Sequence, residues 1–108
     1  MSTMKSGLGY GTNRPVSHYR GNDSGTSEAL YIPGHGNDVL VLVSPEDGAT
    51  ATVEYTISSP EHILRDDAIW KAWDSGDVAE ATSGALTAGI TAVRVVATGG
   101  SVTWEVSA

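Results

Sequence analysis

The sequence contains no cysteine, so disulfide bonds and thiolate metal sites are excluded. No stretch approaches the roughly 20 apolar residues that a membrane-spanning helix requires, and the N-terminus lacks the apolar segment of a signal peptide. We therefore expect a protein that does not enter a membrane and is not exported by that route, and the absence of cysteine is compatible with synthesis in a reducing cytoplasm. A domain this small without disulfides is often reinforced by partner subunits, so we also expect a homo-oligomer.

Positive charge is scarce and concentrated near the N-terminus. The 108 residues contain 6 Lys and Arg against 13 Asp and Glu, which gives a net charge of −7. Lys5, Arg14 and Arg20 lie among the first 26 residues, whereas all the acids except Asp23 lie in residues 27–108. An acidic body repels phosphate backbones, so no nucleic-acid binding is expected of it. The basic N-terminal segment suits an acidic protein surface instead.

The first 26 residues are rich in Gly, Ser and Asn and show no sustained helical or alternating apolar period. We predict an extended N-terminal arm over residues 1–26 and a folded body over residues 27–108. Tyrosine and arginine often dominate protein interfaces. The residues predicted to anchor the arm to a neighbouring subunit are Tyr10, Arg14, Val16, Tyr19 and Arg20.

The body consists of short apolar runs separated by residues that favour turns. A single helical turn is predicted where Ser59 is the N-cap and Pro60 the first helical residue. Many short strands with almost no helix indicate an all-β fold, a small antiparallel β-sandwich or barrel of about seven strands. The predicted strands are residues 28–32, 39–44, 51–57, 69–73, 78–82, 91–98 and 101–107.

Two glycines near the C-terminus predict a hairpin. Gly99 and Gly100 have the composition of a two-residue type I′ turn. That turn places Val95 opposite Trp104 on an apolar face and Arg94 opposite Glu105 on the other face. We expect Trp104 to be buried.

A second hairpin is predicted around residues 45–48, which have the composition of a type I turn. Its register places Leu40 opposite Val53 on one face of the sheet. Val39, Val41 and Val43 then project to the other face. A strand that is apolar on both faces is covered either by more of its own chain or by another subunit, so these three valines are candidate interface residues.

Trp70 and Trp73 form a second candidate contact region. Residues three apart cannot both face the same side of a regular strand. We expect at least one of these side chains to pack in the core with Trp104. The other remains a candidate for a protein contact or for a platform on which a sugar ring stacks.

No motif predicts catalysis or metal binding. The sequence contains no HExxH motif, phosphate-binding loop or dinucleotide fingerprint. Nothing in the spacing of His18, His35 and His62 suggests a zinc site, and the loop at residues 34–38 is expected to be a connection. We therefore predict no catalytic residues, no metal site and no cofactor, and a protein that is not an enzyme.

Several short features occur in a recognisable order between residues 30 and 107. They are the alternating run 51–57, the Ser-Pro pair at 59–60, Trp70 and Trp73, the turn 76–78 with Thr82, and the strands 90–95 and 102–104. This order resembles small β-sandwich virion structural proteins of tailed bacteriophages, of the capsid decoration or cement kind.

The resemblance implies a non-enzymatic virion protein that binds the outside of a capsid, often as a trimer. Its expected partner is the major capsid protein or another virion protein, with terminal arms reaching neighbouring subunits. The alternative is a receptor- or carbohydrate-binding module, or an adaptor, of a phage tail or fibre. That function would use Trp70 or Trp73 and the loop around His35.

Overall fold

Eight antiparallel strands and one short helix make up residues 18–32 and 38–108, the parts of the chain that the computed structural model describes. The first sheet has the strand order β1-β8-β3-β6 and the second has the order β2-β7-β4-β5. The predicted all-β class is therefore confirmed. No helix in these two segments is long and apolar enough to cross a membrane. The elements are β1 (His18–Asp23), β2 (Leu30–Tyr31), β3 (Val39–Pro45), β4 (Thr50–Thr56), α1 (Pro60–Leu64), β5 (Lys71–Ala72), β6 (Thr82–Leu86), β7 (Ala92–Thr98) and β8 (Val102–Ser107).

The core lies between the two sheets and is composed mainly of valine. Successive side chains of a strand point to opposite faces, so every second residue of β3 and β8 is turned toward the other sheet. Trp104 is 6% exposed within this core, as predicted. The fully buried valines are Val39, Val41, Val43, Val53, Val93, Val95, Val102 and Val106.

The prediction of a C-terminal hairpin is wrong, because β7 and β8 belong to different sheets. Arg94 lies opposite Glu54 of β4, and Glu105 lies opposite Arg20 of β1. Of the two turn glycines only Gly99 has a positive φ, at 78°. The same alternation of apolar and polar residues arises whether two strands pair edge to edge or face each other across a core. The pattern therefore gave the buried faces correctly and the partners incorrectly.

The hairpin predicted around residues 45–48 is wrong for the same reason. Leu40 lies opposite Ala85 and Ser107, while Val53 lies opposite Val95 in the second sheet. The connection between β3 and β4 is nevertheless a tight turn, in which the Ala49 N–H donates to the Glu46 carbonyl at 3.0 Å. It carries the chain from one sheet to the other.

Strand bounds also differ from the prediction in the middle of the chain. The strand predicted at residues 78–82 lies instead at Thr82–Leu86, and Val78 makes a single bridge to Ala51. The strand predicted at 69–73 is reduced to Lys71–Ala72. The helical turn is confirmed, with Ser59 as N-cap and Pro60 at its start.

A strand that the sequence did not predict, β1, occupies part of the segment assigned to the arm. Its six residues pair with β8, from His18 opposite Ser107 to Asp23 opposite Val102. Gly21 lies against the Trp104 ring, and the Trp104 indole N–H donates to the Asp23 carboxylate at 2.8 Å. Residues 18–26 therefore belong to the sandwich, and the boundary drawn after residue 26 is too late.

Candidate interaction surface

The solvent side of the first sheet carries side chains in two complete rows that run across four strands. The pairing of β1 with β8, of β8 with β3 and of β3 with β6 fixes these rows. We call the eight residues together the outer face. One row is His18, Ser107, Leu40 and Ala85, and the next is Arg20, Glu105, Leu42 and Ser83.

The centre of the outer face is apolar and open to solvent. Leu40 is 57% exposed and Leu42 is 42% exposed, although both lie in a strand whose alternate residues form the core. Their neighbours on β6 are small, Ser83 and Ala85, so the flanks of both leucines remain uncovered on that side. A shallow depression of about 650 Å³ lies over these residues. Adjacent exposed leucines on a sheet surface are typical of a binding surface.

A charged group borders the leucines on the side of β1. Glu105 Oε1 lies 3.0 Å from His18 Nε2, and Glu105 Oε2 lies 3.8 Å from Arg20 Nη1. Arg20 was predicted to anchor the arm to a neighbouring subunit, but in this structure its carboxylate partner, Glu105, belongs to the same chain. Its side chain is still 67% exposed, so this border is polar and accessible.

Of the other predicted arm anchors, only Tyr19 lies within the described residues. Tyr19 packs against the core from β1, and its hydroxyl donates to the Tyr31 carbonyl at 3.1 Å. Tyr19 is thus an intrachain anchor of β1. Tyr10, Arg14 and Val16 lie outside the described residues, as do residues 33–37 with His35.

Val39, Val41 and Val43 are not interface residues. Each is at most 1% exposed and faces the second sheet, so the cover is the chain itself and the subunit alternative is excluded. The predicted hairpin register placed Leu40 opposite Val53, whereas Val53 belongs to the second sheet. Sequence alone therefore missed Leu40 and Leu42, because a strand that is apolar on both faces carries no signal for which face is inward.

The two tryptophans of the predicted contact region have different environments. Trp73 is 4% exposed, its indole N–H donates to the Gly76 carbonyl at 2.7 Å, and its ring packs against Gly84. It is a core residue and not a contact platform. Trp70 is half-buried, and the Arg94 guanidinium carbon lies 4.2 Å from its ring centroid, so Arg94 occupies one face of the ring.

The acid and base groups of the described segments are dispersed. No group of three His, Cys, Asp or Glu that could hold a metal ion occurs in residues 18–32 and 38–108. His62 contacts Asp67 at 2.9 Å beside the short helix, and His18 contacts Glu105 on the outer face. His18 and His62, the two histidines in the described segments, thus each contact one carboxylate on the surface.

The geometry defines an all-β sandwich with an exposed apolar face on one sheet. The chain matches no protein-family model, no curated protein and no solved structure.

Proposed function

We propose that this chain is a non-enzymatic virion structural protein of the capsid decoration or cement kind. In this proposal it binds adjoining capsid subunits through its N-terminal arm and its body. The observation that supports binding through the body is the exposed pair Leu40 and Leu42 on the outer face. Apolar side chains at the centre of a surface with a polar border are the usual arrangement of a protein–protein contact.

The position of His18, the first described residue, supports a joint role for arm and body. His18 follows residues 1–17 in the sequence and is in the same row of the outer face as Leu40. Two strand spacings separate these residues, about 10 Å. A partner seated on the leucines would therefore lie within reach of the arm, and the two contacts would reinforce each other through effective concentration.

The carbohydrate-binding alternative has less support from the described residues. Trp73 is buried, and Arg94 covers one face of Trp70. A sugar platform requires an accessible aromatic face, so of these two tryptophans only Trp70 is a candidate, by its remaining face.

The test measures binding of the purified full-length chain to capsids that lack it. Replacing Leu40 and Leu42 together by serine should reduce occupancy at least about tenfold, because two partly exposed leucines would lose their burial in the contact. Both side chains project into solvent, so the fold should be retained, and circular dichroism checks this.

A matched control replaces Leu64 and Ile69 by serine. These two apolar side chains are each 81% exposed and lie outside the outer face. The control protein should bind as the unaltered chain does. Equal loss of occupancy in both double variants, or no loss in the Leu40 and Leu42 variant, would contradict the assigned surface. Glycan binding by the chain without any capsid binding would favour the carbohydrate-binding alternative.

A further inference from the structure

The four edge strands of the two sheets, β1, β6, β2 and β5, differ in how they are protected from pairing with other chains. β2 and β5 are each two residues long, and β5 contains Lys71. β1 is longer but carries His18, Arg20 and Asp23. Short length and charged side chains are the usual means by which a free strand edge is kept from adding a foreign strand.

β6 has neither protection. It is the last strand of the first sheet, and its five residues are TSGAL, with no charge and no proline. Residues 81–93 are the longest stretch of the sequence without Asp, Glu, Lys or Arg, in a chain of net charge −7. A groove of about 320 Å³ lies between residues 84–86 and residues 73–75. Ser83 and Ala85 of β6 are exposed.

We propose that β6 is a self-association edge, at which a second copy of this chain adds its own β6 antiparallel to form a continuous eight-stranded sheet. This inference deepens the assembly function proposed above by naming the contact between copies. A contact of this kind has two-fold symmetry, so both copies use the same surface. The trimer that the resemblance implies would require a different, head-to-tail surface.

One register fits the whole of β6. Pairing centred on Gly84 places Ser83 opposite Ala85 of the second copy and Thr82 opposite Leu86. Directly opposed residues share a face of the sheet, and here each small solvent-side residue meets a small solvent-side residue. A shift by one residue would set inward side chains opposite outward ones.

The same register keeps like charges apart. Glu80 is the nearest charged residue on the N-terminal side of β6, and it would lie opposite Ala88 of the second copy. The two copies of Glu80 would then be eight residues apart, about 27 Å along the strands. That distance exceeds the Debye length of about 8 Å at physiological salt. The charge-free stretch thus gives two acidic molecules a place to meet.

Pairing would also join the apolar parts of the two outer faces. The row that ends in Leu40 and Ala85 would continue into Ser83 and Leu42 of the second copy. Four leucines would then border a floor of small side chains. The leucines facing one another across this floor are three strand spacings apart, about 14 Å. This surface would be a wider apolar face than one copy presents.

The test is the solution mass of the pure full-length chain at concentrations from about 10 µM to 1 mM, because a single five-residue strand pair is a small contact. Sedimentation should show a rise from 11.2 kDa to twice that mass. Asp74 also lines the groove beside β6, so added salt should strengthen the dimer by screening acidic groups. A chain that stays monomeric at 1 mM would overturn the proposal.

Pairs of charged substitutions in β6 test the proposed register between the two copies. The double variant Ser83→Glu with Ala85→Glu sets like charges directly opposite each other and should weaken the dimer at least about tenfold. The double variant Ser83→Lys with Ala85→Glu sets opposite charges against each other and should restore it. Both positions are exposed, so each variant should keep the circular dichroism spectrum of the unaltered chain.

A matched control adds the same charge to the same sheet on two other strands, β1 and β3, instead of on the edge strand β6. Asn22→Glu with Ser44→Glu introduces two acids at exposed positions on β1 and β3 and should leave the dissociation constant within about twofold at physiological salt. Equal weakening in this control, or no rescue by the Lys–Glu variant, would overturn the register. Because no capsid is present, dimerisation and capsid binding can fail independently of each other.

Discussion

Arg94 and Glu54 lie opposite each other on β7 and β4, and Arg94 Nε donates to Glu54 Oε1 at 2.6 Å. Each side chain is only about a quarter exposed, and the ring of Trp70 lies 4.2 Å from the guanidinium carbon. The arginine is thus held between a carboxylate and an aromatic ring on the outer side of the second sheet. This arrangement replaces the contact with Glu105 that the sequence pattern predicted.

A double-mutant cycle should detect this pair. Arg94→Met and Glu54→Gln, made singly and together, should give a coupling free energy of about 0.5–2 kcal/mol, because the pair is charged and partly shielded from water. The same cycle with Glu105→Gln should give a coupling near zero, since Glu105 is in the other sheet. Urea denaturation measures both. Comparable coupling of Arg94 to Glu105 and to Glu54 would contradict the strand order.

The contact between Gly21 and Trp104 should make β1 intolerant of a side chain. A Cβ built on Gly21 would lie under 3 Å from two atoms of the buried Trp104 ring, so Gly21→Ala should destabilise the fold by about 1–3 kcal/mol. Gly25 is a matched control, because nothing lies within 4 Å of its Cβ position. Thermal unfolding of the two variants should separate them clearly. Equal midpoints would mean that β1 does not pack on Trp104 as described.

Adjacent residues of β3 should respond oppositely to charge. Val41→Lys places an ammonium group in the valine core and should unfold the chain or cost several kcal/mol of stability. Leu40→Lys places the same group in solvent on the outer face and should change stability by less than about 1 kcal/mol. Urea denaturation of the two variants provides the comparison. A stable Val41→Lys protein would indicate that the strand has the opposite face inward.

The sequence predicted which side chains are buried but not which strands pair. The two-residue alternation of β7 and β8 correctly predicted which side chains are buried, including Val95 and Trp104. It could not predict which strands pair, because stacking across a core and pairing within a sheet satisfy the same period. The sheet partners depend on long-range geometry that no local turn specifies.

The candidate surface was hidden by the same ambiguity. β3 is apolar on both faces, so burial of its valines and exposure of Leu40 and Leu42 depend on the position of the second sheet. β1 was missed because its glycine and polar residues obscure the two-residue alternation. In the structure, the contacts of Tyr19 and Gly21 with the core show which face of β1 is inward.

Two truncations should separate the arm from the fold. The predicted boundary after residue 26 implies that deleting residues 2–26 leaves the body intact, but residues 18–26 connect both sheets. β1 pairs with β8 in the first sheet, and the Gly25 carbonyl accepts the Ala97 N–H of β7 in the second at 3.1 Å. Deletion of residues 2–17 keeps every one of these contacts. Deletion of residues 2–26 removes them and uncovers Trp104.

We therefore expect the chain that lacks residues 2–17 to unfold within a few degrees of the full-length protein. The chain that lacks residues 2–26 should lose several kcal/mol, because it loses the six residue pairs between β1 and β8, the Asp23 acceptor of the Trp104 indole and the cover that β1 gives to the core. Thermal melts followed by circular dichroism and tryptophan fluorescence measure both effects. Capsid occupancy of the shorter deletion then tests the arm alone: a folded protein with reduced occupancy supports arm binding, and undiminished occupancy contradicts it.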